Sequence, residues 1–256
     1  VNLLSVDKLG IDAIAAESVS SVSLATNLLS INNLSVKADS AKSEASALMR
    51  SAEDSSNFLG LTTVVASGSS SKATLEFKPK SGSAPISARE LTVSSSGVDA
   101  NSFLKLDTGS GDLGVESNFN LLASAARASS LAVFNSPFAK ISVNGNVTAL
   151  STGDASHTVL NMGSGPSTEP GISAGSPDQI VVLGTLRQSA VGMNSVSEIS
   201  MFANPGSGIY IGKDLDVLSS GGGSVARITL ASTDLPRETL GNDVAVNGAV
   251  HVTASA

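Results

Sequence analysis

The pentapeptide Gly171-Ile172-Ser173-Ala174-Gly175 fits the pattern Gly-X-Ser-X-Gly. That pattern exposes a nucleophilic serine when a strand precedes it and a helix follows. Ser173, Asp178 and His251 also fall in a chain order known for serine hydrolases. The flanks argue against the chemistry. Pro166 and Pro170 precede the motif and Pro177 follows it, which is loop punctuation. With 47 serines and 24 glycines, composition alone produces such a match. The sequence is therefore read as having no catalytic set.

Other segments offer chemistry and fail on spacing. In Gly206-Ser-Gly-Ile-Tyr-Ile-Gly-Lys-Asp214, Gly208 stands too close to Gly212-Lys213 for a phosphate loop. Asp214 replaces the hydroxyl residue that would hold magnesium. A strand between two glycine turns accounts for the segment. Ser102 and Lys105 fit Ser-X-X-Lys without the companion motifs, and exposed Ser and Lys on a strand account for them. Asp107, Asp112 and Glu116 could supply oxygen ligands to calcium, but their spacing is not that of an EF-hand. His157 and His251 are the only histidines, too few for a zinc site without carboxylates. Asn33 and Asn146 stand in formal glycosylation sequons. No catalytic, cofactor-binding or metal-ligating residue is assigned.

Composition points to structure rather than catalysis. Charged residues make up 14% of the 256, against about 25% in average proteins. Aromatics make up 3%, with one tyrosine and no tryptophan, whereas ligand pockets and sugar platforms lean on large rings. Hydrophobic content is 41%, mostly Val, Leu, Ile and Ala, and disorder is disfavoured at that value. The net charge of −7 lacks the basic footprint of a nucleic-acid binder. There is no cysteine to staple the fold. No run of about 18 apolar residues exists to enter a membrane. The chain begins at Val1 without a basic segment leading an apolar run; processing, a fragment and an alternative start codon all fit that beginning.

The elements follow from periodicity. In residues 1–36, short alternating bursts such as Val22/Leu24, Leu29/Ile31 and Leu34/Val36 predict short strands, with Asn27, Asn32 and Asn33 at corners. Over residues 40–55, Ala41, Ala45, Leu48, Met49 and Ala52 form one helical stripe. A helix is expected there, with a second short one at 118–129. Residues 67–72 read as low-complexity linker. From residue 73 the pattern is β, with candidate strands at 73–78, 90–95, 103–106, 131–134, 140–150, 158–162, 180–186, 196–202, 208–211, 214–218, 225–231 and 243–254. Residues 141–150 and 244–253 share Val-Asn-Gly-X-Val. Either Asn-Gly closes a hairpin or a strand continues through a glycine bend. In both readings Ile141, Val143, Val147 and Ala149 share one buried face, as do Val244, Val246, Val250 and Val252.

The segments AKISVNGNVTALSTGD and DVAVNGAVHVTASA resemble the Val-Asn-Gly-X-Val stretches of bacteriophage tail fibres. The N-terminal string DKLGIDAIAAESVSSVSLATNLLSINNLSVKADSA is similar in texture to the fibre-like regions of siphophage tail-tip proteins. The resemblance covers residues 1–40, 140–155 and 243–256. It implies intertwined homotrimers with host recognition at the distal end, and carries no site residue across. Bacterial adhesins and β-solenoids share the texture.

The expected fold is mainly β, as an elongated fibre or a β-sandwich or solenoid, with one short N-terminal helix. The expected division is an N-terminal assembly region at 1–60, a Ser/Gly linker at 61–72 and a β-rich domain at 73–256. The expected function is a structural subunit of an extracellular fibre or filament, with a phage tail fibre or tail tip as the favoured instance. A bacterial cell-surface adhesin or appendage subunit is the alternative, and a solenoid enzyme acting on polysaccharide a third. The expected partners are further copies of the chain, in a trimer or filament, and a host-surface receptor. Neither nucleic acid nor membrane insertion is expected, and the location is a virion or the extracellular surface. The bursts in residues 1–36 give each strand few apolar side chains, so partner chains are expected to close that core, joined by the helix through Ala41, Ala45, Leu48 and Ala52.

Overall fold

A computed structural model describes residues 3–52, 57–80, 82–163, 177–204, 208–232 and 244–255. The chain begins with alternating longer and shorter strands: β1 (Leu3–Ala13), β2 (Val19–Ala25), β3 (Leu28–Ala38), β4 (Glu44–Ser51), β5 (Asn57–Ala66), β6 (Lys72–Pro79), β7 (Ile86–Ser95) and β8 (Asn101–Asp107). Three strands per coil follow: β9 (Leu113–Val115), β10 (Phe119–Ala123) and β11 (Ser129–Asn135), then β12 (Lys140–Val143), β13 (Val147–Ser151) and β14 (His157–Met162). Next come β15 (Gln179–Val182), β16 (Leu186–Ala190) and β17 (Val196–Ala203), then β18 (Ile209–Ile211), β19 (Leu215–Ser219) and β20 (Val225–Ser232). The pair β21 (Val244–Val246) and β22 (Val250–Ala254) ends the series.

These strands wind into a parallel β-solenoid. One sheet stacks β2-β4-β6-β8-β11-β14-β17-β20. The other stacks β1-β3-β5-β7 and then forks. Ile86–Ala88 of β7 pair with β9, while Leu91–Ser95 pair with β10. The fork begins as a bend. The ladder skips Asp7, Asn32, Gly60 and Arg89 in the four long strands. Later coils widen that point into a corner, at Glu116–Asn118 and Asn144–Asn146. Backbone partners lie 25, 27, 28, 29, 35 or 39 residues apart. The 39-residue coil contains residues 164–176, which lie outside the described residues.

Parallel sheets usually carry helices on both faces and read as continuous apolar runs. Here each sheet has one face on the core and one on solvent, so the strands alternate. Register fixes eight inward columns. One runs Leu9–Leu34–Thr62–Leu91–Phe119–Val147–Leu186–Leu215–Val250. Facing it, Leu24–Met49–Phe77–Leu106–Phe134–Met162–Met201–Leu230 run along the other sheet. Phe119 and Phe134 meet across the gap edge-to-face, with ring centroids 5.0 Å apart. Sealing such a side chain from water is worth about 1.5–3 kcal/mol.

Near one turn the columns become small. Ala38–Ala66–Ser95–Ala123–Ser151–Ala190 oppose Ala45–Ala73–Ser102–Ser130–Thr158–Ser197. The sheets converge here until side-chain hydroxyls reach the opposite backbone. Ser102 Oγ donates to the Ser94 carbonyl at 2.7 Å and Ser95 Oγ to the Ser129 carbonyl at 2.6 Å. Buried serines are tolerated because these bonds satisfy them.

Two helix expectations are corrected. Residues 40–52, the described part of the expected 40–55 helix, hold none: Ser40–Ser43 form a turn and Glu44–Ser51 are β4. Ala45, Ala47, Met49 and Ser51 face the core, while Leu48 faces out. The i, i+4 stripe of alanines coincides with a period-2 set, and stacking on β2 and β6 selects the latter. The expected helix at 118–129 is β10, a turn and the start of β11. The Asn-Gly hairpin at 144–145 does not form. β12 and β13 leave that corner to pair with separate neighbours, β9 and β15 on one side and β10 and β16 on the other. The buried face does form: Ile141, Val143, Val147 and Ala149 all point inward. Residues 28–52 bury their bursts against neighbouring coils of the same chain.

The bend predicts a contrast between two glycines. A Cβ on Gly60 would lie 2.0 Å from the Asn32 carbonyl oxygen, whereas one on Gly114 would rest 3.6 Å from Ser142 Oγ. Gly60→Ala is expected to cost at least about 1–3 kcal/mol. Gly114→Ala is expected to be neutral or to add about 0.5 kcal/mol. Urea denaturation of the two variants measures both.

Candidate functional site

The residues with chemical potential are spread along the solenoid rather than gathered. Ser173 lies outside the described residues. Asp178 accepts a hydrogen bond from Asn204 Nδ2 at 3.0 Å, and His251 points outward from β22. Ser102 is buried and faces the core, while Lys105 faces out, so the two lie on opposite faces of β8; the expected exposed serine is corrected. Asp107 accepts from the Gly109 amide, Asp112 from the Lys140 amide and Glu116 from Ser87 Oγ. Among the described residues no three His, Asp or Glu side chains cluster to hold a metal ion. Gly208, β18 and the corner Gly212–Asp214 form a strand ending in a glycine turn, and Asp214 accepts from the Ala249 amide.

What recurs instead is a stack of turns. After each of β1, β3, β5, β7, β10, β13, β16 and β19, four residues turn the chain into the other sheet. Their first carbonyl accepts from the fourth amide, as in Gly68–Ser71, Gly97–Ala100, Gly153–Ser156 and Gly192–Ser195. The third residue is left-handed in every coil: Glu17, Lys42, Ser70, Asp99, Arg127, Ala155, Asn194 and Gly223, with φ between 52° and 71°. That is the geometry of a type II turn. Each non-glycine residue there costs about 1–2 kcal/mol. The offset is a bond to the next coil: the Glu17 amide donates to the Ala41 carbonyl, Lys42 to Ser69, Asp99 to Ala126 and Arg127 to Asp154, at 2.8–3.1 Å.

This column also carries ion pairs. Lys42 Nζ lies 3.2 Å from Glu17 Oε1, and Arg127 engages Asp99 through Nε and Nη2 at 2.6 and 2.8 Å. Two further pairs, Arg187–Asp216 and Arg227–Glu198, join neighbouring coils on the outer faces. The hydrogen bond from Arg127 holds the Asp99 carboxyl below its ordinary value, and the same bond raises the guanidinium. At the opposite corner, amides stack on side chains. Asn118 Oδ1 accepts from the Asn146 amide and Asn146 Oδ1 from the Thr185 amide, each at 2.9 Å.

The remaining surface of interest is the two ends. Val143 and Val147 are fully buried in mid-solenoid. Their counterparts in the last coil are open: Val244 is 46% exposed, Val250 59% and Val252 73%. In the first coil Leu4, Leu9, Val22 and Leu24 are only partly covered. No family profile matches the chain, and no curated protein or solved structure matches it closely enough to carry an argument.

Two outcomes follow from the turn column. Ala155→Gly is expected to stabilise the fold by about 0.5–1 kcal/mol, because relief of the left-handed strain outweighs the flexibility gained by the unfolded chain; chemical denaturation reads it. Asp99 has a depressed folded pKa, so its contribution is present above the ordinary carboxylate value and lost as pH falls through the folded one. Asp99→Asn should therefore lower Tm at neutral pH, with the gap from wild type closing as melting is repeated towards pH 3 (roughly the lower edge of the carboxylate range).

Proposed function

We propose that this chain is a structural segment of an extracellular-type fibre rather than an enzyme. One observation carries the reading: side-chain contacts between neighbouring coils recur at the turns and corners, 25–39 residues apart in sequence. The same contacts recur along one axis, which suits a part that bears length rather than one that encloses a substrate. A surface rich in hydroxyls and poor in charge also favours self-association.

The favoured instance is a phage tail fibre or tail tip, supported by the Val-Asn-Gly corners at 143–147 and 246–250. A cell-surface adhesin or appendage subunit is the second reading, and a specific observation favours it. The core closes within a single chain, whereas the tail-fibre resemblance implied three intertwined chains. Receptor binding belongs to either reading. Immunogold electron microscopy with an antibody to this chain separates them. Label along virion fibres supports the first, and label along cell-surface filaments the second. Label confined to the soluble fraction, with no filament marked, would overturn both.

A further inference from the structure

We infer that Gln188 is a register lock: a buried amide that fixes how β16 pairs after the widest coil spacing among the described strands.

Gln188 lies in an inward column that is otherwise aliphatic. Val64, Val93, Leu121 and Ala149 precede it and Val217 follows it. Its side chain is fully buried. Its Nε2 donates to the Ser197 carbonyl, and its Oε1 has no hydrogen-bond partner. A half-satisfied amide in such a column adds little stability, since an apolar side chain of the same size does as well or better. What it adds is position. The residue it reaches already ties two coils together. Thr158 Oγ1 donates to Ser197 Oγ at 2.8 Å, and Ser197 Oγ donates to the Ala149 carbonyl at 3.4 Å. Gln188 therefore completes a buried set that joins β13, β14, β16 and β17, across both sheets and two coils.

This coil is the one where register needs fixing. Val147 pairs with Leu186, 39 residues on, whereas Phe119 pairs with Val147, 28 residues on. The eleven extra residues fall between Met162 and Gln179. A strand that re-enters the stack after added length has slack to pair two residues out of step, which keeps its inward face inward. A wholly aliphatic strand tolerates that step. Gln188 does not. One direction sets it beside Val147, in the column that faces Met162 and Met201, with no polar partner. The other sets it beside Ser151, where the sheets converge and the column holds only Ala and Ser. A single buried polar side chain fixes alignment when only one alignment reaches its partner.

The absence of cysteine allows the register to be read directly. Thr148 and Arg187 are outward partners on β13 and β16. Cysteines at those positions stand about 4.8 Å apart, within disulfide reach. Thr148 stands about 8 Å from Ser189 and from Thr185 in this register, beyond that reach, and meets each only in one of the two slipped alignments. Under mild oxidation of dilute protein, Thr148→Cys with Arg187→Cys should close within the chain, as read by thiol titration of the monomer band. Thr148→Cys with Ser189→Cys, and with Thr185→Cys, should stay reduced. Adding Gln188→Met should leave the urea midpoint unchanged or raised, yet increase closure of an out-of-step pair at least about tenfold. Asn120→Cys with Leu150→Cys is the same out-of-step pair in the 28-residue coil. It should stay reduced although Leu121 and Ala149 there carry no amide. Out-of-step pairs that stay reduced with Gln188→Met would overturn the inference, and so would pairs that close as readily with Gln188 in place. Closure of the Asn120 and Leu150 pair would sever the lock from the added length. Loss of the folded state in Gln188→Met would also overturn it, because the amide would then carry stability and not register.

Discussion

Everything in this molecule hangs on one hydrogen-bonding relation: each coil finds its backbone partners in the coils before and after, not in its own local sequence. A residue's fate is set by what it stacks on. Thr62 points into an apolar column because Leu34 and Leu91 occupy the positions on either side. Its hydroxyl is left without a partner, a cost that register imposes. Gln188 stands likewise in a column between Ala149 and Val217, its amide nitrogen donating to the Ser197 carbonyl.

That relation explains a composition which looks odd for a globular protein. Outward positions need no apolar partner, so Ser, Thr and Asn are tolerated there beside residues such as Leu48, Phe103 and Val133. Inward positions next to the turn have no room for large side chains, so Ala and Ser alternate along the column. The large rings Phe77, Phe119 and Phe134 sit in facing columns away from that turn, fully buried. The left-handed turn residues show how far register overrides local preference. Lys42, Asp99 and Arg127 occupy a conformation that favours glycine, held there by the turn of the neighbouring coil.

Much of the β pattern was legible. Period-2 alternation at 73–78, 131–134 and 158–162 marks real strands, and the shared face of Ile141, Val143, Val147 and Ala149 is the core face. Ala41, Ala45 and Met49 satisfy both the helical and the strand period, and no local signal separates the two over 40–52. The Asn-Gly corner was ambiguous because a hairpin and a solenoid corner demand the same residue types; only the identity of the pairing strand differs. The repeat itself was in the sequence. Gly68-X-X-Ser71, Gly153-X-X-Ser156, Gly192-X-X-Ser195 and Gly221-X-X-Ser224 mark four of the eight turns, and opposite charges at 17/42, 99/127, 187/216 and 198/227 sit one coil apart. Unequal coil lengths hide that period from a search at fixed spacing. The exposure of Val250 and Val252 had no such signal, since it depends on what stacks on their strand and not on local sequence.

The nearest-neighbour wiring also sets how this solenoid comes apart. A coil in the middle, such as that of β10 and β11, is held from two sides, whereas those of β1 and β22 are held from one. Stability in such stacks is close to a sum of coil and interface contributions, so the molecule has no single unfolding event shared equally by all residues. Opening of one coil removes support first from the two that flank it, and amide protection then falls in steps along the stack, coil by coil.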